Sequence, residues 1–181
     1  MVTDIARVLY HEDEILTRID ELARVLTDEY QDKNLTVIAI LNGSFVFMAD
    51  LLRRIPLPIQ VDSLSVSSYR GTQSTGHIHF RQNSLADVRG RHVLILDDIL
   101  DSGRTLKAIK ARLEGESGVL SVRSCVLLRK CVQRDVEICA DHVGFDIPDE
   151  FVVGYGLDYN ERYRNLPYVG VLKPEALERY A

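Results

Sequence analysis

The stretch Val93-Leu-Ile-Leu-Asp97-Asp98-Ile-Leu-Asp101-Ser102-Gly103-Arg104-Thr105-Leu106 sets carboxylates, hydroxyls, a glycine and an arginine directly after an apolar run. A buried strand that ends in a tight turn and then enters a helix leaves unpaired amides at the helix start. With the hydroxyls of Ser102 and Thr105, these amides suit a phosphate dianion. Gly103 lets the backbone approach such a ligand closely, and Arg104 either adds charge or points to solvent. Asp97 and Asp98 have a different chemistry. Carboxylates at a sheet edge accept hydrogen bonds from vicinal sugar hydroxyls or hold a hydrated Mg²⁺. A phosphate cradle a few residues from a diol-binding acid pair reads as a site for ribose 5-phosphate. It is neither a Walker loop, since G-x-x-x-x-G-K-[ST] does not occur, nor a dinucleotide G-x-G-x-x-G turn. The plainer reading has Asp101 and Ser102 capping a helix while the acid pair is solvated. It explains each residue singly and the arrangement poorly.

The elements that must position this loop follow from periodicity. Residues 12–29 carry Ile15, Ile19, Leu22 and Leu26 at helical spacing, with Glu12, Asp13 and Glu14 at the positive end. LTVIAIL (35–41) and HVLIL (92–96) are continuous apolar runs that read as strands buried on both faces. Asn42-Gly43-Ser44 breaks the first run before a helical 45–54, and 59–69 reads as another strand. After the loop, Leu106, Ile109 and Leu113 form a helical stripe ended by Gly115 and Gly118, and 121–129 is a further strand. Strand–helix–strand units of this length imply a parallel sheet with right-handed crossovers, whose ligands bind beyond the carboxyl ends of the strands. The segment 70–76, RGTQSTG, reads as a mobile loop. The chain after Asp141, with short strand-like pieces, reads as a small hood. An acid pair after a buried strand also occurs in the metal site of receiver domains, but the intervening DSGRT and the later element order do not fit that fold.

With 181 residues, 46% hydrophobic and 27% charged, the chain has the material for one domain spanning 1–181. No apolar run approaches the roughly 18 residues needed to cross a bilayer, and the N-terminus lacks signal-peptide order, which together point to a cytoplasmic protein. The three cysteines, Cys125, Cys131 and Cys139, form neither a paired framework nor a zinc-type spacing. His77 and His79 read as strand-face residues and not as a metal pair. The net charge of −5 argues against a nucleic-acid footprint, and it requires that bound phosphates be met by local amides, local cations or a metal.

VLILDDILDSGRTL resembles the phosphoribosyl-pyrophosphate signature of type I phosphoribosyltransferases. Residues 143–168, VGFDIPDEFVVGYGLDYNERYRNLPY, resemble the purine-binding end of the hypoxanthine-guanine members, and LNGSFVFMADLL and SSYRGTQSTG match that family in the expected order. The resemblance covers about residues 35–172. It implies a type I phosphoribosyltransferase fold, an α/β architecture with a central parallel sheet flanked by helices and a small hood. It also implies transfer of phosphoribosyl from phosphoribosyl pyrophosphate to a 6-oxopurine, with Mg²⁺. On that resemblance Asp101 is the general acid/base at the purine. Asp97 and Asp98 serve the ribose hydroxyls and the metal, and residues 101–105 (Asp101, Ser102, Gly103, Arg104, Thr105) hold the 5′-phosphate. Asn42, Gly43 and Arg164 receive pyrophosphate, the first two in a turn often beside a cis peptide. Lys130, Phe151, Val152 and Asp158 form the base pocket, Asp158 also meeting the metal. Ser68 and Tyr69 begin a lid that excludes water. Many members carry Lys or Arg where this chain has Asn42, so amide contacts to pyrophosphate survive here without a side-chain charge. A homodimer or homotetramer is expected, through the apolar face of Phe45–Leu52. The alternatives are an RNA-binding regulator on the same fold and a xanthine-preferring transferase.

Overall fold

The computed structural model describes residues 2–68, 78–80, 87–134 and 136–179. In chain order they form β1 (Ile5–Tyr10), α1 (Glu12–Tyr30), β2 (Leu35–Leu41), α2 (Phe45–Leu52), β3 (Gln60–Ser68), β4 (Ile78–Phe80) and β5 (His92–Leu100). Then come α3 (Arg104–Glu114), β6 (Ser121–Lys130), β7 (His142–Ile147), β8 (Val152–Val153), β9 (Val169–Leu172) and α4 (Pro174–Arg179). The larger sheet has the order β4-β3-β2-β5-β6-β7. Its strands from β3 to β7 run parallel, and β4 pairs antiparallel to β3.

The continuous apolar runs have a two-sided explanation. Side chains alternate across a strand, so Leu35, Val37, Ala39, Leu94 and Leu96 enter the core made with α1 and α2. Ile38, Ile40, Val93 and Ile95 enter the opposite core, under the Leu106, Ile109 and Leu113 stripe of α3. A strand covered by helices on both faces has no solvent side on which to place polar residues. Helix α1 starts as its acids predict: the Glu14 carboxylate accepts from the His11 amide at 2.8 Å, and the helix buries Ile15, Ile19, Leu22, Ala23, Leu26 and Tyr30.

Three assignments shift. Strand β5 runs on through Leu100, so Asp97 and Asp98 lie on the strand and not in the turn after it. Strand β7 belongs to the larger sheet, pairing parallel to β6 from Cys125↔His142 onward. Its half-buried pattern and central glycine, Gly144, hid it among the hood residues. The hood itself is the sheet β1-β9-β8, which recruits the N-terminal strand as well as the chain after Asp141. In α2, Phe47 and Leu51 are fully buried and only Phe45, at 42% exposure, turns its ring outward. Most of that apolar face therefore serves the core. Cys125 is buried, and burial pushes its thiol up to about 12, whereas Cys131 and Cys139 are exposed and free. The 70–76 loop, Tyr69 and His77 lie outside the described residues. Ser68 ends β3 opposite Ile78, and His79 lies opposite Ser67.

Candidate active site

Parallel strands deliver their carboxyl ends to one edge, and the predicted chemistry gathers there. At the end of β2 the Leu41–Asn42 peptide is cis. Ser44, buried behind it, donates from its hydroxyl to the Ile40 carbonyl at 2.6 Å. A methyl group built on Gly43 would lie 1.6 Å from Oδ2 of Asp98, so only glycine lets the turn sit against that carboxylate. Gly156 fills the equivalent role from the hood side. Its φ is +101°, and an added Cβ would lie 2.0 Å from the Gly43 carbonyl oxygen.

Asp97 is buried and Asp98 partly so. The Asp98 amide donates to Asp97 at 3.0 Å and the Ile99 amide donates to Asp98 at 2.8 Å. Neither carboxylate forms an ion pair among the described residues. Burial first, and the Asp98 charge second, hold the Asp97 carboxyl well above its ordinary range. Burial raises Asp98 too, against the hydrogen bonds it accepts and the charge of Arg164. The folded chain thus binds the Asp97 proton more tightly than the unfolded chain does. No penalty exists below the ordinary value of 3.8, and it grows as pH rises from there through the raised folded value. Without divalent cation, Asp97→Asn is therefore expected to raise Tm at neutral pH by about 2–4 °C for each kcal/mol relieved. Thermal melts at pH 7 and pH 4 check this, and an equal gain at both would contradict it.

Helix α3 opens on Gly103 at φ +79°, and no side chain caps it. The Ser102 hydroxyl accepts only a long 3.5 Å contact from the Arg104 amide. The capping role that would make Asp101 and Ser102 merely structural is not filled. A cavity of about 240 Å³ runs from Leu41 and Gly43 past Asp97 and Asp98 to Asp101, Ser102, Gly103 and Thr105. A second, of about 170 Å³, is lined by Lys130, Phe151, Val152 and Asp158 and shares Asp98, Ile99 and Asp101 with the first. The Asp101 carboxylate stands at the junction. Lys130 Nζ lies 3.2 Å from it and 3.1 Å from Asp149. Burial works against the charge on Lys130, but the bonds to Asp149 and Asp101 outweigh it and hold its pKa above the ordinary value.

Phe151 is 40% exposed, lines the second cavity and makes a T-shaped contact with Tyr159. Val152 is buried on β8. Asp158 accepts from Arg164 at 2.9 Å and from the Glu161 amide at 2.8 Å. Arg164 also donates to the Gly156 carbonyl at 2.9 Å and to Glu161 at 3.0 Å, which makes it a half-buried clamp of the 156–161 turn and not a surface charge. Asn42 and Arg104 do not line either cavity. Three further residues contribute to the site. Glu150 lines the second cavity and is paired to Arg7 of β1. Asp149 faces Lys130, and Tyr155, with φ +51°, donates its hydroxyl to Asp50 of α2 at 2.5 Å. No local pattern marks these residues, because their partners come from β1, β6 and α2. Tyr155→Phe is expected to cost about 1.5 kcal/mol, seen as a lower denaturant midpoint at unchanged m.

An acid pair, an uncapped helix start and a second cavity meet at one sheet edge, an arrangement suited to a phosphorylated ligand beside a second molecule. The chain matches the phosphoribosyl transferase domain family over residues 8–160. It is 48% identical to the hypoxanthine-guanine phosphoribosyltransferase of Lactococcus lactis subsp. lactis, over 97% of this chain and 95% of that protein. It is 49% identical to the bifunctional protein TilS/HprT of Listeria monocytogenes, over 97% of this chain but only 27% of that protein, so it spans about a quarter of that relative. A crystal structure of a hypoxanthine phosphoribosyltransferase from Staphylococcus aureus superposes with a TM-score of 0.92 at 46% identity, over 97% of this chain and 96% of that one. The chain belongs to the phosphoribosyltransferase family, on its hypoxanthine-guanine branch.

Proposed function

We propose that the chain transfers the 5-phosphoribosyl group of phosphoribosyl pyrophosphate to N9 of hypoxanthine or guanine, a cytoplasmic purine-salvage reaction giving IMP or GMP and pyrophosphate. The observation that carries this reading is the position of Asp101 between the two cavities. One cavity fits the phosphoribosyl group and the other the base. As the bond from C1 to pyrophosphate breaks, positive charge develops on the ribose and negative charge on the leaving group, and holding both is the main catalytic task. Asp101 takes the proton released by the base as N9 bonds to C1. Residues 101–105 hold the 5′-phosphate by amides and hydroxyls, and Asp97 and Asp98 orient the ribose hydroxyls. Gly43 and the Asn42 turn offer amides to pyrophosphate, with Arg164 behind them. Lys130 donates to the purine O6, Phe151 stacks on the ring, and Asp158 lies by the C2 substituent.

The donor set fits Mg²⁺. Asp97 and Asp98 are hard oxygen ligands, and among the described residues they have no ion-pair partner and no three metal-binding side chains gather to hold an ion unaided. Such an ion is held jointly by one or two carboxylates, water and substrate oxygens. Asp158 would have to share its carboxylate with Arg164. When bound, Mg²⁺ offsets the charge that develops on pyrophosphate. The family resemblance supports a homodimer or homotetramer, and the −5 charge stands against an RNA-binding regulator.

The test is product formation from phosphoribosyl pyrophosphate and Mg²⁺ with hypoxanthine, guanine, xanthine, adenine and uracil in parallel. Turnover of the first two is expected. Activity with none of the five would sink the enzyme reading, and a preference for xanthine would move it to the neighbouring specificity.

A further inference from the structure

The β5–β6 ladder ends at Leu100↔Arg129, while β6 stays paired to β7 as far as Lys130↔Ile147. Backbone acceptors near a buried site need donors. Arg134 supplies them. Its Nε donates to the Asp101 carbonyl at 2.9 Å, and its Nη2 donates to the carbonyls of Lys130 at 2.6 Å and Leu100 at 3.4 Å. One guanidinium therefore joins the exit of β5, which carries Asp101, to the exit of β6, which carries Lys130. The side chain also lies along the phosphate loop. An added Cβ on Gly103 would meet Arg134 Cδ at 3.5 Å, with Val136 and Ile138 closer still at 3.2 and 2.4 Å.

We infer that Arg134 is a positioning residue for the transfer reaction, an inference that rests on the reading of Asp101 and Lys130 given above. Asp101 must reach the base from one loop and Lys130 must reach O6 from another, and their 3.2 Å separation is set by two backbones that no ladder hydrogen bond links beyond Leu100. The planar fork fixes three carbonyls at once. A lysine at this position keeps the charge and the stem but offers a point donor in place of the fork. The role differs from charge neutralisation, because the acceptors are all main-chain oxygens.

Arg134→Lys and Arg134→Gln, assayed beside the unsubstituted chain with hypoxanthine, test this. Misplacing the two groups by about an ångström should lower kcat by about tenfold to a hundredfold, with KM for phosphoribosyl pyrophosphate held within about threefold. Arg134→Lys should recover Tm fully and kcat only in part. If Arg134→Gln does not fold, Arg134→Lys alone decides. Turnover within about twofold of the unsubstituted chain overturns the assignment. So does a loss of kcat that follows the folded fraction seen by circular dichroism. An inactive unsubstituted chain would instead remove the functional reading, and the positioning role with it.

Discussion

Replacing Asp101 by Asn is expected to lower kcat by roughly 10²–10⁴ while leaving substrate binding near normal, the usual range for losing a general base. The substitution is close to isosteric, and the fold does not depend on this carboxylate, which neither caps α3 nor is buried. Its ion-pair partner among the described residues, Lys130, stays paired to Asp149 at 3.1 Å, so the ammonium keeps its charge and place in the variant. Steady-state kinetics with hypoxanthine separate the effects. A fall in kcat at unchanged KM is the signature of an interaction made in the transition state. Near-normal turnover would take the proton-transfer role away from Asp101.

Gly156→Ala is expected to do the most damage to stability and to pyrophosphate binding together. A left-handed φ of +101° is a conformation that costs a non-glycine residue about 1–3 kcal/mol. Here the added methyl group would also lie 2.0 Å from the carbonyl oxygen of Gly43, a backbone atom that cannot rotate away. The 41–44 turn must shift, and with it the contact of Gly43 with Asp98. Gly90→Ala is the control, since Gly90 has φ +67° and nothing within 4 Å of an added Cβ. We expect Gly156→Ala to lower Tm by about 2–4 °C per kcal/mol lost, well beyond the control. In the folded fraction, kcat/KM for phosphoribosyl pyrophosphate should fall by more than about tenfold. Equal Tm values for the two variants would show that the turn relaxes without consequence.

The parallel sheet was legible because burial on both faces writes itself into LTVIAIL and HVLIL as unbroken apolar runs. The α3 stripe was legible for a related reason, helical spacing at Leu106, Ile109 and Leu113. Strand β7 was not, since an edge strand with Gly144 at its centre, half covered, has neither alternation nor a run. Strand β1 escaped notice because its partner, β9, lies more than 150 residues away. In the site, the contiguous loop was legible as a unit: Asp97, Asp98, Asp101, Ser102, Gly103 and Thr105 line the first cavity, whereas Arg104 does not. Residues defined by approach between distant segments were not legible. Arg134, Asp149, Glu150 and Tyr155 each act through a partner on another element. The requirement for glycine at 43 and 156 comes from a contact between two turns over 100 residues apart. Arg164 illustrates the middle case. Its motif suggested pyrophosphate, whereas its geometry adds a clamp on Gly156, Asp158 and Glu161.

The most direct measurement follows both products in one reaction containing hypoxanthine, phosphoribosyl pyrophosphate and Mg²⁺. The account predicts IMP and pyrophosphate in equal amounts, with neither formed when the base is left out. Pyrophosphate released without IMP, or no product at all, would contradict it.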